Sequence, residues 1–423
     1  MAQPSENSAT ERQNTTSDPG VGQQPVGAFN PSDWDSVRAQ FVLDDSHHDL
    51  STFLFSTHPA PVRDAIGRHR DGLDRDPTGY LQSNEELLEG ATRRAAAAYL
   101  GGTTEQLALT DSTTMGLGLL YAGLHLKPGD EVLTSTHDHY ATHESLQLRA
   151  ERDGVQVHKV GLYRDPAVTS VDEIVGNLAA ALTERTRVVA LTWVHSSSGV
   201  KLPVRQLAEV IRERSPQALF CLDGVHGFAA EDAAPDELGC DFLVSSCHKW
   251  LLGPRGTGFV WGTERAWKRT SPVIPSFDWR GIEHWRSGVA SAPPTPPGYA
   301  NSPGGYHSFE HRWALTEAFE FHRQIGAQRV QDRTRELAYQ LKASLAGMAG
   351  VHVVTPVSAD LSAGLICCEL AGLSPGTAVT ALAAENVVAS SSPYNPSYVR
   401  FGPTIANSTE DVEATVQAVR QML

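Results

Sequence analysis

Residues Cys221 to Gly262, CLDGVHGFAAEDAAPDELGCDFLVSSCHKWLLGPRGTGFVWG, decide the reading of this chain. An apolar run from Ala218 to Leu222 ends in Asp223. A second, Phe242 to Val244, ends in Ser245, Ser246, Cys247, His248 and Lys249, and a Gly-rich turn leads into Gly258 to Trp261. Short apolar runs punctuated by Gly and Pro predict buried strands of a parallel sheet. Their polar residues then stand at the strand ends, where open α/β sheets bind ligands.

Three residue types define the chemistry available there. Burial disfavours a charged amine, so a lysine in a partly dry pocket loses its proton and can condense with an aldehyde. Asp223 at the neighbouring strand end could hold a proton on a ring nitrogen, and Ser246 and His248 could bind phosphate. A Schiff-base lysine, an acid opposite a pyridine nitrogen and a phosphate cup are together the requirements of pyridoxal phosphate.

Asp223-x-x-His226, followed by Ser246-x-His248-Lys249 and Gly253-Pro254-x-Gly256-x-Gly258, resembles the signature of class V aminotransferase-like enzymes of pyridoxal-phosphate fold type I. That family includes cysteine desulfurases, kynureninases and isopenicillin-N-epimerase-like proteins. The resemblance runs from about Trp34 to Leu423 and points to the isopenicillin-N-epimerase-like branch, whose members tailor natural products. It implies an α/β fold, with a large domain built on a mostly parallel, doubly wound sheet and a smaller α+β C-terminal domain. It also makes Lys249 the cofactor-bearing base, Asp223 the partner of the pyridine nitrogen, and His226 a contact of the phenolic oxygen or ring face.

Composition bounds the alternatives. At 423 residues, 40% hydrophobic and 20% charged, the chain predicts a soluble globular protein of two or three domains. A net charge of -15 leaves no basic surplus for phosphates, so neither nucleic acid nor an anionic membrane is an expected partner. Five cysteines without C-x-x-C spacing suggest neither a disulfide framework nor a zinc site. No apolar run approaches the roughly 18 residues of a membrane span, and the N-terminus lacks a signal-peptide pattern. The expected location is therefore cytoplasmic. The division expected is a disordered tail over residues 1–30, an N-terminal segment over the active site (31–62), the large domain (63–308) and the small domain (309–423).

Ahead of a helix starting near Pro61, Leu54 to Pro59 reads as extended chain. The resemblance makes Ser56, Thr57 and His58 candidates for touching substrate; a strand end plus a helix cap is the plainer reading. Asn84 to Leu100 is an amphipathic helix ended by Gly101-Gly102. Leu107 to Leu117 is a strand passing through a polar turn into a helix, whose N-terminal amides favour an anion. The family's phosphate turn maps onto Ser112, Thr113 and Thr114, against the alternative of an ordinary cap.

His137, His139 and His143 crowd one turn, but no Cys or carboxylate pattern completes a metal site, so none is expected. In the family an aromatic or histidine here stacks on the pyridine ring, which gives His139, with Tyr140 as second choice. The strand Val188 to Val194 ends in His195-Ser196-Ser197-Ser198-Gly199. Ser196 maps where desulfurases carry an asparagine near the phenolic oxygen and the substrate carboxylate.

Thr270 to His307 is rich in Pro, Gly and Trp and predicts a long irregular excursion. The resemblance implies that it reaches the neighbouring active site of a homodimer. Gly305-Tyr306-His307-Ser308 stands where the family has Gly-Thr-x-Asp, so a cross-subunit phosphate contact falls to Tyr306, to Ser308 or to neither. Arg400 matches the family's C-terminal arginine, whose fork suits a substrate carboxylate. Desulfurases carry a nucleophilic thiol shortly before it; this chain has Ser390-Ser391-Ser392-Pro393. Cys367 and Cys368 fall inside a predicted strand, and Cys247 reads as a packing residue.

The implied activity starts when the amine of an amino acid or cysteine conjugate displaces Lys249 from the cofactor while Arg400 orients the carboxylate. A bond at the α-carbon then breaks. β-Elimination at a C–S bond and decarboxylating oxidative deamination are the favoured outcomes, and epimerisation and transamination use the same machinery. From a different class, the rival is a non-catalytic binding protein of this fold.

Overall fold

The structure, a computed structural model, describes residues 29–287 and 293–423. The expected disordered tail falls outside them except for Phe29 and Asn30. Seven strands form the central sheet in the order Leu107–Thr110, Gly258–Gly262, Phe242–Ser246, Leu219–Asp223, Thr186–Thr192, Glu131–Ser135 and Gln156–Val160. Every neighbouring pair is parallel except those of Gly258–Gly262, which runs antiparallel to both of its partners.

Side chains alternate across a strand, and here both faces are covered, which explains runs without polar alternation. Leu191, Phe220, Leu222, Leu243 and Phe259 join one core with Leu315 and Phe319. Their chain neighbours Ala190, Cys221, Val244 and Val260 join another with Leu117 and Tyr121. Gln156–Val160 is the edge strand and is mostly exposed. Gly258 has no room for a side chain: a Cβ would sit 2.8 Å from the carbonyl oxygen of Ser245.

A second, antiparallel sheet of four strands, Ser390–Ser391, Val399–Phe401, Ile366–Leu370 and Val351–Val353, forms the small domain. Helices Ala327–Ala346, Pro375–Ala384 and Thr409–Met422 contribute Leu337, Leu341, Leu382 and Val419 to its core. The helix Phe309–Ile325, expected to open this domain, packs instead against Ala60–Arg75 and Pro77–Leu100. Its Leu315, Ala318 and Phe319 face the large sheet, an allegiance set by packing partners distant in sequence.

The excursion expected over 270–308 is less irregular than its composition predicts. It holds a helix, Trp279–Ser287, and a short turn, Pro297–Ala300. Asp278 accepts from the Arg280 backbone N–H at 3.0 Å and from its guanidinium at 2.7 and 2.6 Å, which starts the helix. Among the described residues, no helix is long and apolar enough to cross a membrane.

The N-terminal segment is tied to the small domain before it crosses to the large one. His48–Asp49 pairs in parallel with Val387–Val388, and Asp411 receives both His48 Nδ1 and Arg38 at 2.7 Å. Phe53 is fully buried against Gly402, where a Cβ would lie 2.4 Å from its ring. Ser56 N–H then donates to the carbonyl of His248 at 3.1 Å.

Candidate active site

Parallel strands deliver their C-terminal ends to one edge of the sheet. That edge gathers His139, Ser196, Asp223, His226, Ser246, His248 and Lys249 from four strand ends. Arg400 arrives from the small domain, and the segment at Phe53 to Ser56 closes over them.

Lys249 is half-buried. Desolvation pulls its amine down to about 8; the Asp223 carboxylate opposes the shift and the Arg400 guanidinium adds to it. Its Nζ lies 3.5 Å from Nε2 of His226. Trp250 donates its indole N–H to His226 Nδ1 at 3.2 Å. Burial, with Lys249, Arg400 and His139 nearby, holds His226 well below the usual imidazole range. The ring is therefore neutral, with Nε2–H toward the lysine. Leu252 takes a left-handed φ of 57° in the turn after Lys249, where its N–H bonds the lysine carbonyl at 3.0 Å.

Asp223 is buried and accepts a hydrogen bond from Val225 N–H at 3.0 Å. Burial pushes its carboxyl up to about 7, against the pull of the Val225 bond and Lys249, with Asp138 adding to the rise. A buried acid so placed calls for a cationic partner.

Asp138, which the sequence reading passed over, ties the sheet edge together. Its carboxylate accepts from Thr134 Oγ1, Ser135 N and Thr192 N at 2.7 to 2.8 Å. Burial alone would raise it, but these donors and nearby His195 hold it well below the usual carboxylate range. His195 in turn bonds the Tyr163 hydroxyl at 2.9 Å, and His137 stacks on Tyr163 at 3.8 Å. Site residues His139 and Ser196 directly follow Asp138 and His195, so this network sets where they emerge.

Of the two ring-stacking candidates, Tyr140 is 68% exposed, whereas His139 caps the helix Tyr140–Asp153 by accepting from Ala141 N–H at 3.1 Å. Desolvation, with Lys249 and Arg400, lowers the His139 pKa. The ring over the site is thus neutral.

Arg400 is 5% exposed and donates to the carbonyls of Ser196 and Ser391, each at 3.2 Å. Its Nε is buried without a partner. The Ser196 hydroxyl pairs with Tyr394 Oη at 2.6 Å. Neither Tyr394 nor Phe53, which lies 5.6 Å from the Arg400 guanidinium and 5.9 Å from the His226 ring, was among the sequence candidates. The available signal is Pro393-Tyr394-Asn395-Pro396, a turn shortly before Arg400 that directly follows the thiol-free Ser390 to Ser392.

At the other end, Thr113 Oγ1, Ser246 Oγ and His248 Nδ1 are buried without a hydrogen-bond partner. Thr113 opens the helix Thr113–Gly123, whose first amides face the same way as any helix N-terminus toward an anion. Ser112 spends its hydroxyl capping Met115 N–H at 3.1 Å, and Thr114 is exposed. Ser56 Oγ is buried and unpartnered, Thr57 half-buried, and His58 buried with its pKa lowered to about 4 by desolvation and Arg255. Tyr306 is 85% exposed, and Ser308 stands at the start of Phe309–Ile325. Cys367 and Cys368 are buried in Ile366–Leu370 and Cys247 in the turn after Phe242–Ser246. A cavity of about 500 Å³ beside His352 and Glu369 is lined by Cys368 but by none of the residues at the sheet edge.

The profile of the family described as "Aminotransferase class-V" matches residues 82–414. The chain belongs to the aminotransferase class-V family. Two curated relatives are isopenicillin N epimerases. The protein of Streptomyces clavuligerus is 27% identical over 82% of this chain and 86% of its own. That of Amycolatopsis lactamdurans is 29% identical over 81% and 85%. Among solved structures, a C-DES mutant with glycine covalently linked to its PLP cofactor superposes with a TM-score of 0.82 at 18% identity, covering 90% of this chain and 98% of its own. The same protein, titled a cystine C-S lyase, in complex with cysteine persulfide gives 0.79 at 18% identity, covering 89% and 97%.

As a class-V enzyme the protein depends on pyridoxal phosphate, and the residues present fit it. Unpartnered buried polar atoms of Thr113 at a helix N-terminus and of Ser246 and His248 at a strand end suit the phosphate, and Asp223 suits a protonated ring nitrogen. Lys249, with its depressed pKa, suits the aldehyde.

Proposed function

We propose that this enzyme removes the α-proton of an amino-acid substrate and, from a cysteine conjugate, expels the β-substituent as a thiol. When bound, the cofactor supplies an electron sink at the α-carbon. The residues do the rest. Arg400 receives the carboxylate, Asp223 holds the proton on the ring nitrogen, His139 and Phe53 exclude water, and Lys249 takes up the α-proton. The placement of Lys249 is the observation that carries this reading: its Nζ lies 3.5 Å from His226 among Asp223 and Arg400, and desolvation there pulls the amine down to about 8, so it can serve as base and as acid near neutrality.

Proton abstraction is favoured over decarboxylation because a buried arginine stabilises the carboxylate as an anion, and loss of carbon dioxide would discard that contact. A desulfurase route lacks support. All five cysteines are free and buried, and Ser390 to Pro393 stand before Arg400. The likeness in fold to a cystine C-S lyase supports elimination, and the isopenicillin N epimerase relatives support epimerisation as the second reading. Both begin with the same proton. The same relatives support a role in natural-product, including antibiotic, biosynthesis as part of this reading.

A homodimer is part of this proposal. Phe277, Trp279, Trp285 and Tyr306 are exposed on the excursion that precedes the small domain, a cluster of aromatics suited to a second subunit. Free, buried thiols accord with a cytoplasmic enzyme.

The test is product analysis by mass spectrometry after incubation with S-substituted cysteines and plain L-amino acids. Pyruvate with a released thiol is the expected result. Unchanged substrate carrying solvent deuterium at an inverted α-carbon would establish epimerisation instead, and absence of both would end the reading.

A further inference from the structure

The loop between Ser390–Ser391 and Val399–Phe401 turns one side chain inward. Pro393, Asn395 and Pro396 are exposed, while Tyr394 is half-buried, with its hydroxyl 2.6 Å from Ser196 Oγ and its ring edge-on to His139 at 6.1 Å between centroids. Arg400 donates to the carbonyl of the same Ser196 at 3.2 Å. Two parts of the chain thus meet here, Ser196 from the large sheet and the pair Tyr394 and Arg400 from one hairpin of the small domain.

That point lacks its anion. Among the described residues no carboxylate pairs with Arg400: its terminal nitrogens meet two backbone carbonyls, and Nε meets nothing. A buried guanidinium without a counter-charge is costly and marks the place of an anionic ligand. The hydroxyl pair is arranged to help. In a Ser–Tyr pair one hydrogen is consumed between the two oxygens and the other is left to point outward. Burial holds the Tyr394 hydroxyl up at about 12, opposed by its bond to Ser196, so at neutral pH it is a donor and not a base.

We propose that Tyr394 is a specificity-determining residue, which accepts from the Ser196 hydroxyl, donates its own phenolic O–H to the substrate α-carboxylate and so completes a clamp with Arg400. The clamp selects amino acids over amines of the same side chain. It rests on the amino-acid reading above.

The test compares the wild-type holoenzyme with Y394F, which keeps the ring and its packing on His139. L-Alanine and L-phenylalanine are titrated alongside ethylamine and phenethylamine, following the change in the cofactor's visible absorption. A hydrogen bond to a charged group predicts that Y394F loses about tenfold to a hundredfold in apparent affinity for the amino acids. Affinity for the amines stays unchanged. Equal weakening of both classes would reduce Tyr394 to a packing residue, and no weakening of either would also overturn the proposal. A wild-type enzyme that forms the cofactor band yet responds to no amino acid would remove the amino-acid reading itself, and the clamp with it.

Discussion

The indole N–H of Trp250 donates to Nδ1 of His226 at 3.2 Å, and this bond decides which nitrogen of the histidine faces Lys249. With Nδ1 occupied as an acceptor, the proton of the neutral ring resides on Nε2. W250F leaves a buried acceptor unpaired, which costs about 1–3 kcal/mol of stability. It also frees the tautomer. We expect lower denaturant resistance together with a displaced pH dependence of the cofactor's absorption; a loss of stability without the spectral displacement would mean that Trp250 only packs.

With Lys249 proposed to carry the cofactor, borohydride reduction followed by peptide mapping should place the label on it, and K249A should take up none. Because the folded enzyme holds this amine down to about 8, capture of pyridoxal phosphate by the apo protein should accelerate as pH rises through that value. Stopped-flow absorbance would show a midpoint near the free-lysine range if the depression were absent.

Asp223 makes a linked prediction about stability. The folded apo protein holds its carboxyl up at about 7, above the ordinary 3.8, and so keeps a proton that the unfolded chain has released. Its contribution to stability is fully present below the unfolded value and is lost as pH rises through the folded one. Apo D223N should therefore melt above apo wild type at about pH 8, with the gap closing towards about pH 5. The same variant should lose activity about a hundredfold to a thousandfold, since the charge opposite the ring nitrogen is gone. Melting curves that stay parallel across this range would contradict the assignment.

R400K retains a positive charge but loses the fork. We expect KM to rise about a hundredfold, the weight of a charge-assisted pair, while cofactor attachment is unaffected. An equal loss of cofactor would place Arg400 elsewhere in the mechanism.

Thr113 and Ser246 hold unpartnered buried hydroxyls at the proposed phosphate end. T113A and S246A should each weaken pyridoxal phosphate binding about tenfold, measured by reconstitution of the apo enzyme. S112A should be milder, because the Ser112 hydroxyl is already committed to its helix.

Much of this architecture was legible before any coordinates. Apolar runs ending in Asp223 and in Ser246 to Lys249 specify buried strands, and parallel strands put their ends on a common edge. The sheet follows from local pattern and that single rule, which also puts Asp223 and Lys249 on one edge. Arg400, too, was marked by its flanking residues. The allegiance of Phe309–Ile325 was not legible, because an amphipathic helix records that it has an apolar face without recording which sheet meets it.

What the chain alone determined, then, is the fold class and the placing of Lys249 and Asp223 at strand ends, since periodicity and strand punctuation are properties of short stretches. Tertiary structure decided the rest of the site. Phe53 over Arg400, Trp250 on His226, Asp138 bracing two strand ends and Tyr394 against Ser196 join residues that are close in space through packing. Of these, Tyr394 and Ser196 lie 198 residues apart in sequence. Protonation followed the same division: desolvation and neighbouring charge set the Lys249 and Asp223 pKa values, and both exist only once the chain has closed around them.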